Sequence, residues 1–341
     1  MNIVIDGRAL VGQRTGIGVH TAEIARRLGV EPPPLIAAHA EIDDRSGLEQ
    51  CRFRIDRAPL GVIWQQLILP RIDADVVWGP HGTLPVASRT PSVVTIHDFT
   101  ALTMPGRHRL KTILSYDLFI GRSLERAARV AAVSRAVAEE AVRGFGVSRA
   151  KIEIVPNGVD DHFSPGDGEG DYVLFVGTLE PRKGLDDLLA VWESISESIA
   201  PRPRLVICGG SGWKTGIAQR DGIELTGYVD RERLRALYRG AMAFVYPSRY
   251  EGFGIPPLEA LACGAPVVAT RTGAIPEFTG DAALLVNPGD RDGLRDALVR
   301  LLRDPSLRRE LRARGPERAA LYRWERSAML MTELLEEAAE S

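Results

Sequence analysis

The sequence is poor in the features that staple a chain together or carry it into a membrane. Only three cysteines occur in 341 residues, Cys51, Cys208 and Cys263, and no two form a CxxC pair. Neither a disulfide framework nor a thiolate zinc site is signalled, and a reducing compartment is expected. No apolar run approaches the ~20 residues that cross a bilayer. The opening Met1-Asn2-Ile3-Val4-Ile5-Asp6 meets an acid after three apolar residues, too few for the apolar core of a signal peptide. Cytoplasmic placement follows as the expectation. An excess of positive charge is also missing. The formal net charge is −2, which argues against nucleic acid as a partner.

What is present is punctuation and alternation. The chain holds 34 Gly and 22 Pro, enough to mark many short junctions, and its length suits two domains of about 150 residues. Short β-branched runs alternate with amphipathic stretches from end to end, the pattern of parallel sheets covered by helices on both faces. Strands are expected at 2–5, 35–38, 75–78, 92–96, 129–133 and 151–155, then at 172–176, 204–208, 223–225, 243–246, 267–269 and 283–286. The polar, glycine-rich stretch from Ser164 to Asp171 reads as a linker. The expected division is therefore an α/β domain over 1–163, a second over 171–316, and a final helix over 317–341 that packs back toward the first. Two such Rossmann-like sheets facing across a cleft would bind ligand at the carboxyl ends of their strands.

The strand-to-helix junctions therefore bear the chemistry. The first, Asp6-Gly7-Arg8 followed by Thr15-Gly16-Ile17-Gly18-Val19-His20-Thr21, begins like a dinucleotide fingerprint but has Thr21 where the third glycine belongs. A glycine loop that admits a substrate remains beside the plainer reading of a turn. Gly209-Gly210-Ser211-Gly212-Trp213-Lys214-Thr215 imitates a phosphate loop, yet Trp213 replaces its required glycine, so an NTPase is rejected. Asp73-Ala74-Asp75 imitates a metal-binding acid pair but precedes a strand, and the structural reading is favoured; no metal is expected.

Two junctions in the second half are stronger. Gly177-Thr178-Leu179-Glu180-Pro181-Arg182-Lys183-Gly184 puts two cations at a helix start. There they oppose the helix dipole, unless a phosphate reverses the balance. Glu251-Gly252-Phe253-Gly254-Ile255-Pro256-Pro257-Leu258-Glu259 places two carboxylates on either side of a glycine turn and a proline-started helix. The first-half His97-Asp98 closes a strand, where a histidine facing a cleft favours function over packing.

The Glu251-to-Glu259 segment resembles the EX7E motif of retaining glycosyltransferases of the GT-B fold. Together with Gly177 to Lys183, Thr226-Gly227-Tyr228-Val229 and Ala262-Cys263-Gly264-Ala265-Pro266-Val267-Val268 in order, the chain is similar to glycosyltransferase family 4 over nearly its whole length. The resemblance implies a GT-B architecture and no cofactor other than a nucleotide-sugar donor. It implies that Arg182 and Lys183 hold the donor diphosphate, Glu259 the ribose, and Glu251 the donor sugar. Gly252, Phe253, Gly254 and Ile255 would lie around sugar and phosphate, Gly227, Tyr228 and Val229 around the base, with Gly16, Gly18 and Gly177 counted among the donor contacts. His97 and Asp98 would face the transferred sugar and the acceptor.

Asp6-Gly7-Arg8 and Gly79-Pro80-His81-Gly82 most resemble bacterial mannosyl- and rhamnosyltransferases of surface polysaccharides. GDP-mannose is the favoured donor, a UDP-sugar the alternative, and a glycan or lipid-linked glycan the acceptor. An epimerase or phosphorylase of the same fold, or a non-catalytic nucleotide-sugar-binding subunit, stands as the rival reading. Between Pro105 and Lys151 ten Lys or Arg face four acids, interspersed with Leu110, Ile113, Leu114, Leu118, Phe119 and Ile120. An anionic membrane surface is the functional reading of that stretch, with peripheral placement at the inner face; a solvated basic helix is the plainer one.

Overall fold

The computed structural model describes residues 1–100, 119–168, 170–210 and 221–341. Positions 211–215 of the phosphate-loop imitation and 105–118 of the basic stretch lie outside the described residues. The chain forms two compact units, residues 1–158 with 324–341, and residues 159–323.

In the first unit the elements run β1 (Ile3–Asp6), α1 (Gly16–Ala25), β2 (Leu35–Ala38), β3 (Arg52–Ile55), α2 (Gly61–Leu67), β4 (Val76–Gly79), β5 (Ser92–Ile96), β6 (Arg129–Ala132), α3 (Arg135–Phe145) and β7 (Ile152–Ile154). The second carries β8 (Tyr172–Val176), α4 (Leu185–Glu197), β9 (Arg204–Cys208), β10 (Ile223–Gly227), α5 (Arg231–Gly240), β11 (Ala243–Tyr246), α6 (Ile255–Ala262), β12 (Val267–Thr270), α7 (Ile275–Thr279), β13 (Ala283–Val286), α8 (Arg291–Arg303) and α9 (Pro305–Ala319). Helix α10 (Trp324–Ala339) closes the chain. Polar caps fix several helix starts: Ser134 accepts from Val137 N, and Asp230 from Arg233 N at 2.7 Å.

Both sheets are parallel, the first in the order β3-β2-β1-β4-β5-β6-β7 and the second β10-β9-β8-β11-β12-β13. Burial explains the near-continuous apolar strands: Ile3, Val4 and Ile5 of β1 are all fully buried, as β1 is covered on both faces. Helix α10 supplies Trp324, Met331, Leu334 and Leu335 to the core that holds Ile3, Ile5, Ile24 and Trp78. Each such side chain contributes about 1.5 to 3 kcal/mol by leaving water.

Two elements differ from the sequence reading. Strand β3 lies at a sheet edge, and its Arg52-Phe53-Arg54-Ile55 alternates exposed charge with half-buried apolar residues, so it lacks the β-branched run by which the other strands are read. The terminal helix expected from residue 317 is two helices: α9 ends at Ala319, and a turn in which Tyr322 N donates to Ala319 O at 2.9 Å precedes α10.

Each sheet reverses its strand order once, between β1 and β4 in the first and between β8 and β11 in the second. Crevices at the carboxyl ends of such strand pairs are where open α/β sheets take ligands. The polar residues of this chain collect there.

Candidate active site

In the second unit the chain leaves β8 at Val176, passes Gly177 and makes one 3-10 turn, Pro181–Lys183. Gly184 follows in a left-handed conformation, φ +69°, and starts α4. A Cβ there would stand 1.9 Å from the Pro247 carbonyl oxygen, so glycine is what lets this turn lie against the loop after β11. Arg249 locks the two together. Its N–H donates to Arg182 O at 2.7 Å, and its guanidinium pairs with Asp186 and Asp187 in the first turn of α4.

The two cations thus sit just ahead of the helix, and the first turn itself carries acids, as the helix dipole favours. This corrects the dipole argument for Arg182 and Lys183; what marks them instead is burial around a carboxylate. Lys183 is 8% exposed and Glu251 7%. Four donors converge on Glu251 Oε1: Lys183 Nζ at 2.6 Å, Ser248 Oγ at 2.6 Å, and Arg182 Nη1 and Tyr246 Oη, each at 3.1 Å. Tyr246 Oη also accepts from Lys183 Nζ at 2.7 Å. Oε2 takes none of the four. Burial opposes ionisation of Glu251, but Lys183 and Arg182 outweigh it and hold the carboxyl at about 2. Burial lowers the Lys183 pKa, and Glu251 restores part of the loss. We assign the pair as ionic, because both members keep hydrogen bonds suited to their charged forms.

Glu259 falls in the second turn of α6, which starts at Gly254 with φ +95°. Tyr238 Oη donates to its Oε2 at 3.1 Å, and burial pushes the carboxyl up to about 7 against that bond. Of the intervening motif, Phe253 turns inward and stacks on Phe278 at 5.3 Å between centroids, leaving backbone as its only means of reaching a ligand. Gly252 O accepts from Ala274 N at 3.2 Å, and Ile255 is half-buried. Gly227 ends β10 with φ +69°, Tyr228 beside it is 71% exposed, and Val229 is half-buried. Gly177 is pressed by Gly209, where a Cβ would stand 2.1 Å from Gly177 O.

The family follows from this pattern together with its relatives. Residues 160–318 match the group 1 glycosyl transferases, and residues 14–163 match Glycosyltransferase Family 4. The chain belongs to the family 4 glycosyltransferases. It is 29% identical to O-antigen chain mannosyltransferase B of Escherichia coli over 370 residues, covering 95% of this chain and 97% of that one. Among solved structures it is similar to sucrose-phosphate synthase of Thermosynechococcus elongatus, with TM-score 0.78, 23% identity and 98% of each chain covered. It is also similar to Anabaena HepE in complex with UDP and glucose, with TM-score 0.78, 17% identity, and 98% and 99% covered. These neighbours share the GT-B architecture of two parallel-sheet domains.

In the first domain of this glycosyltransferase, the end of β1 builds a polar hub. Asp6 is fully buried and accepts from Arg8 Nε at 2.9 Å and from Gln65 Nε2 at 2.9 Å. Arg8 Nη2 in turn donates to Thr83 Oγ1 at 3.0 Å. His97 extends from the end of β5. Its Nε2 lies 2.9 Å from Pro80 O, which can only accept, so the proton resides on Nε2 and Nδ1 carries the lone pair. Burial lowers its pKa to about 4, with His81 assisting and the Pro80 carbonyl and Asp98 opposing, so the ring is neutral near pH 7. Asp98 Oδ1 accepts from Thr100 N at 2.9 Å.

The two loop glycines differ in what they allow. At Gly16, which opens α1, a Cβ would meet nothing within 4 Å, whereas a Cβ on Gly18 would stand 2.6 Å from Ala9 O, so Gly18 serves the packing of α1 on its own loop. Asp75 Oδ2 accepts from Asn2 N at 2.6 Å at the amino end of the sheet. Among the described residues no group of three or more His, Cys, Asp or Glu is placed to hold a metal.

Several residues escaped the sequence reading. Tyr246 and Ser248 bind Glu251, yet both look like ordinary strand-end residues. Asn157 Oδ1 holds His20 Nδ1 at 2.7 Å, and the fully buried His20 ring meets His97 edge to face at 4.7 Å between centroids. Asn157-Gly158 reads as a turn, and His20 as one more position of a glycine loop; only the fold brings either near His97.

Proposed function

We propose that this glycosyltransferase moves a hexose, mannose favoured, from a nucleoside diphosphate to an acceptor hydroxyl with retention at the anomeric carbon. The observation that carries the reading is the Arg182–Lys183–Glu251 cluster, with Lys183 and Glu251 buried, at the strand-order reversal between β8 and β11. Arg182 and Lys183 take the diphosphate and stabilise the charge it gains as the bond from C1 to its oxygen breaks. The electron pair stays on the diphosphate, a new bond forms from the acceptor oxygen to C1, and the acceptor proton leaves with the nucleotide. Glu251, ionised and tied through Oε1, sets the position of both cations and offers Oε2 to a hydroxyl of the donor sugar; it is no proton donor. Glu259 accepts from the ribose, and Gly227 to Val229 flank the base. His97 accepts a sugar hydroxyl at Nδ1, beside Asp98.

GDP-mannose is the proposed donor, supported by the O-antigen mannosyltransferase relative; HepE, bound to UDP and glucose, supports a UDP-sugar as the alternative. Thermal shifts with GDP-, UDP-, ADP- and dTDP-sugars decide the base, since ligand at 100 times its dissociation constant adds about 2.7 kcal/mol. No shift with any of them would remove the donor reading.

The proposed acceptor is a glycan or lipid-linked glycan at an anionic membrane. No helix among the described residues is long and apolar enough to cross one. Helix α2 and the residue before it expose Leu60, Ile63 and Leu67 on one face, between exposed Arg57 and Arg71. That face would rest on lipid headgroups. Equal sedimentation with anionic and neutral vesicles at low salt would remove the membrane.

A further inference from the structure

The amino ends of the first sheet carry a second cationic site that the transfer reaction does not use. Ser92 opens β5, Ala128 precedes β6 and Lys151 precedes β7, and between them lies a pocket of about 310 Å³. Three cations line it, Arg89, Arg126 and Lys151, together with the hydroxyl residues Ser88, Thr90 and Ser92. Ser341, the last residue of the sequence, lines it as well and brings an α-carboxylate that pairs with none of the three cations; among the described residues no Asp or Glu side chain lines the pocket, so the cations stay in excess. His97 closes the other end of β5, about 16 Å along a five-residue strand.

Two of the pocket's three cations are anchored on neutral oxygens rather than on acids. Arg129, next in sequence, pairs with Glu337, and Arg8 with Asp6. Arg89, Arg126 and Lys151 form no ion pair with an Asp or Glu among the described residues. Lys151 Nζ donates instead to the carbonyls of Glu125 and Ala127 at 3.0 and 3.2 Å, and Arg126 Nη2 to Ser88 O. Those bonds to neutral oxygens hold the cationic heads in place without cancelling their charge. Each head also keeps donors beyond the ones so used: a lysine has three and an arginine five.

We propose that this pocket binds a phosphate monoester. A tetrahedral dianion matches three cations and several hydroxyl donors better than a carboxylate, which offers two oxygens and one charge. The volume is at the lower end of small-molecule sites, room for a phosphate with a small organic group. The ester is a soluble metabolite or the exposed headgroup of a lipid; both present the same oxygens. The pocket stands independently of the donor site, which lies in the other domain.

Calorimetry in an Arg182→Ala background keeps phosphate bound at the donor site from masking the signal. Inorganic phosphate is one probe and soluble short-chain phosphatidate the other, each titrated with and without Arg89→Gln plus Arg126→Gln. Both arginines are exposed, and Lys151, which caps helix-end carbonyls, is left intact so that folding is preserved. We expect the double variant to lose tenfold or more in affinity for at least one probe, since each lost charge-assisted bond is worth about tenfold. Loss toward both probes identifies the bare phosphate as what is read; loss toward phosphatidate alone identifies the lipid headgroup. Affinities for both probes that the variant leaves unchanged, or no binding of either, would overturn the site.

Discussion

Lys183 Nζ stands 2.6 Å from Glu251 Oε1 across 68 positions of sequence, with both side chains almost wholly buried. An ion pair so placed is sensitive to loss of one partner, because the survivor keeps its desolvation penalty. Lys183→Ala is expected to destabilise the second domain by on the order of 3 kcal/mol. Arg182, only partly buried, should be removable with the fold intact. Both variants should lose a hundredfold or more in transfer if they stabilise the leaving diphosphate. Urea denaturation followed by initial rates separates the effects, and an Arg182→Ala enzyme with native donor affinity and turnover would end the phosphate assignment.

The two motif glutamates titrate in opposite directions, and pH should distinguish them. Glu251 is held at about 2, below its ordinary range. Its contribution to stability is complete above the unfolded value near 4.5 and is lost as pH falls toward 2, on the order of 3 kcal/mol in all. Glu259 is raised to about 7, so its folded form favours the proton, and the stability gained from that is lost as pH rises through 7. An ionised Glu259 is the better acceptor for ribose hydroxyls. Nucleotide affinity should then rise with pH and level off above 7, falling about tenfold per unit well below it. Glu259→Gln should flatten that dependence. Persistence of the same slope in the variant would assign it to another group.

How much of the fold and the site is readable in the sequence depends on whether the relevant partner is near along the chain. The parallel strands are legible because burial on both faces demands continuous apolar runs, as in Val173 to Val176. Edge strand β3 is not, since half of it faces solvent. Arg182, Lys183, Glu251 and Glu259 stand out as charges at glycine-rich junctions. Their partners do not: Tyr246, Ser248 and Tyr238 are ordinary residues until the fold of β11 and α5 brings them to a carboxylate. The helix-dipole argument singles out Arg182 and Lys183 for a reason the structure does not uphold, because Gly184 starts the helix after them.

His97 gives a spectroscopic prediction. With Nε2–H fixed on Pro80 O and a pKa near 4, its ring should remain the neutral Nε2–H tautomer from pH 6 to 8. Nitrogen-15 shifts of labelled histidine report this directly. His97→Ala should lower turnover more than donor affinity, because the ring is proposed to meet the sugar rather than the nucleotide. An imidazolium signal at pH 7 would contradict the burial that keeps the ring neutral, and with it the assignment of Nδ1 as acceptor.

The last prediction concerns metal dependence. On the proposed reading, Arg182 and Lys183 supply the charge that balances a diphosphate, and both are paired with Glu251. The acid pair that imitates a metal motif makes structural bonds: Asp75 uses its carboxylate on Asn2 N, and the Asp73 carbonyl accepts from Asn2 Nδ2 at 2.7 Å, so the two tie the start of β1 to the start of β4. Drawing Asp75 onto a metal would break a bond at the edge of the first core. Transfer is therefore expected to continue in EDTA at its original rate, and Asp75→Asn to affect thermal stability before it affects turnover. Loss of transfer in chelator, restored by manganese or magnesium, would show that the built-in cations are insufficient and return Asp73 and Asp75 to consideration as ligands.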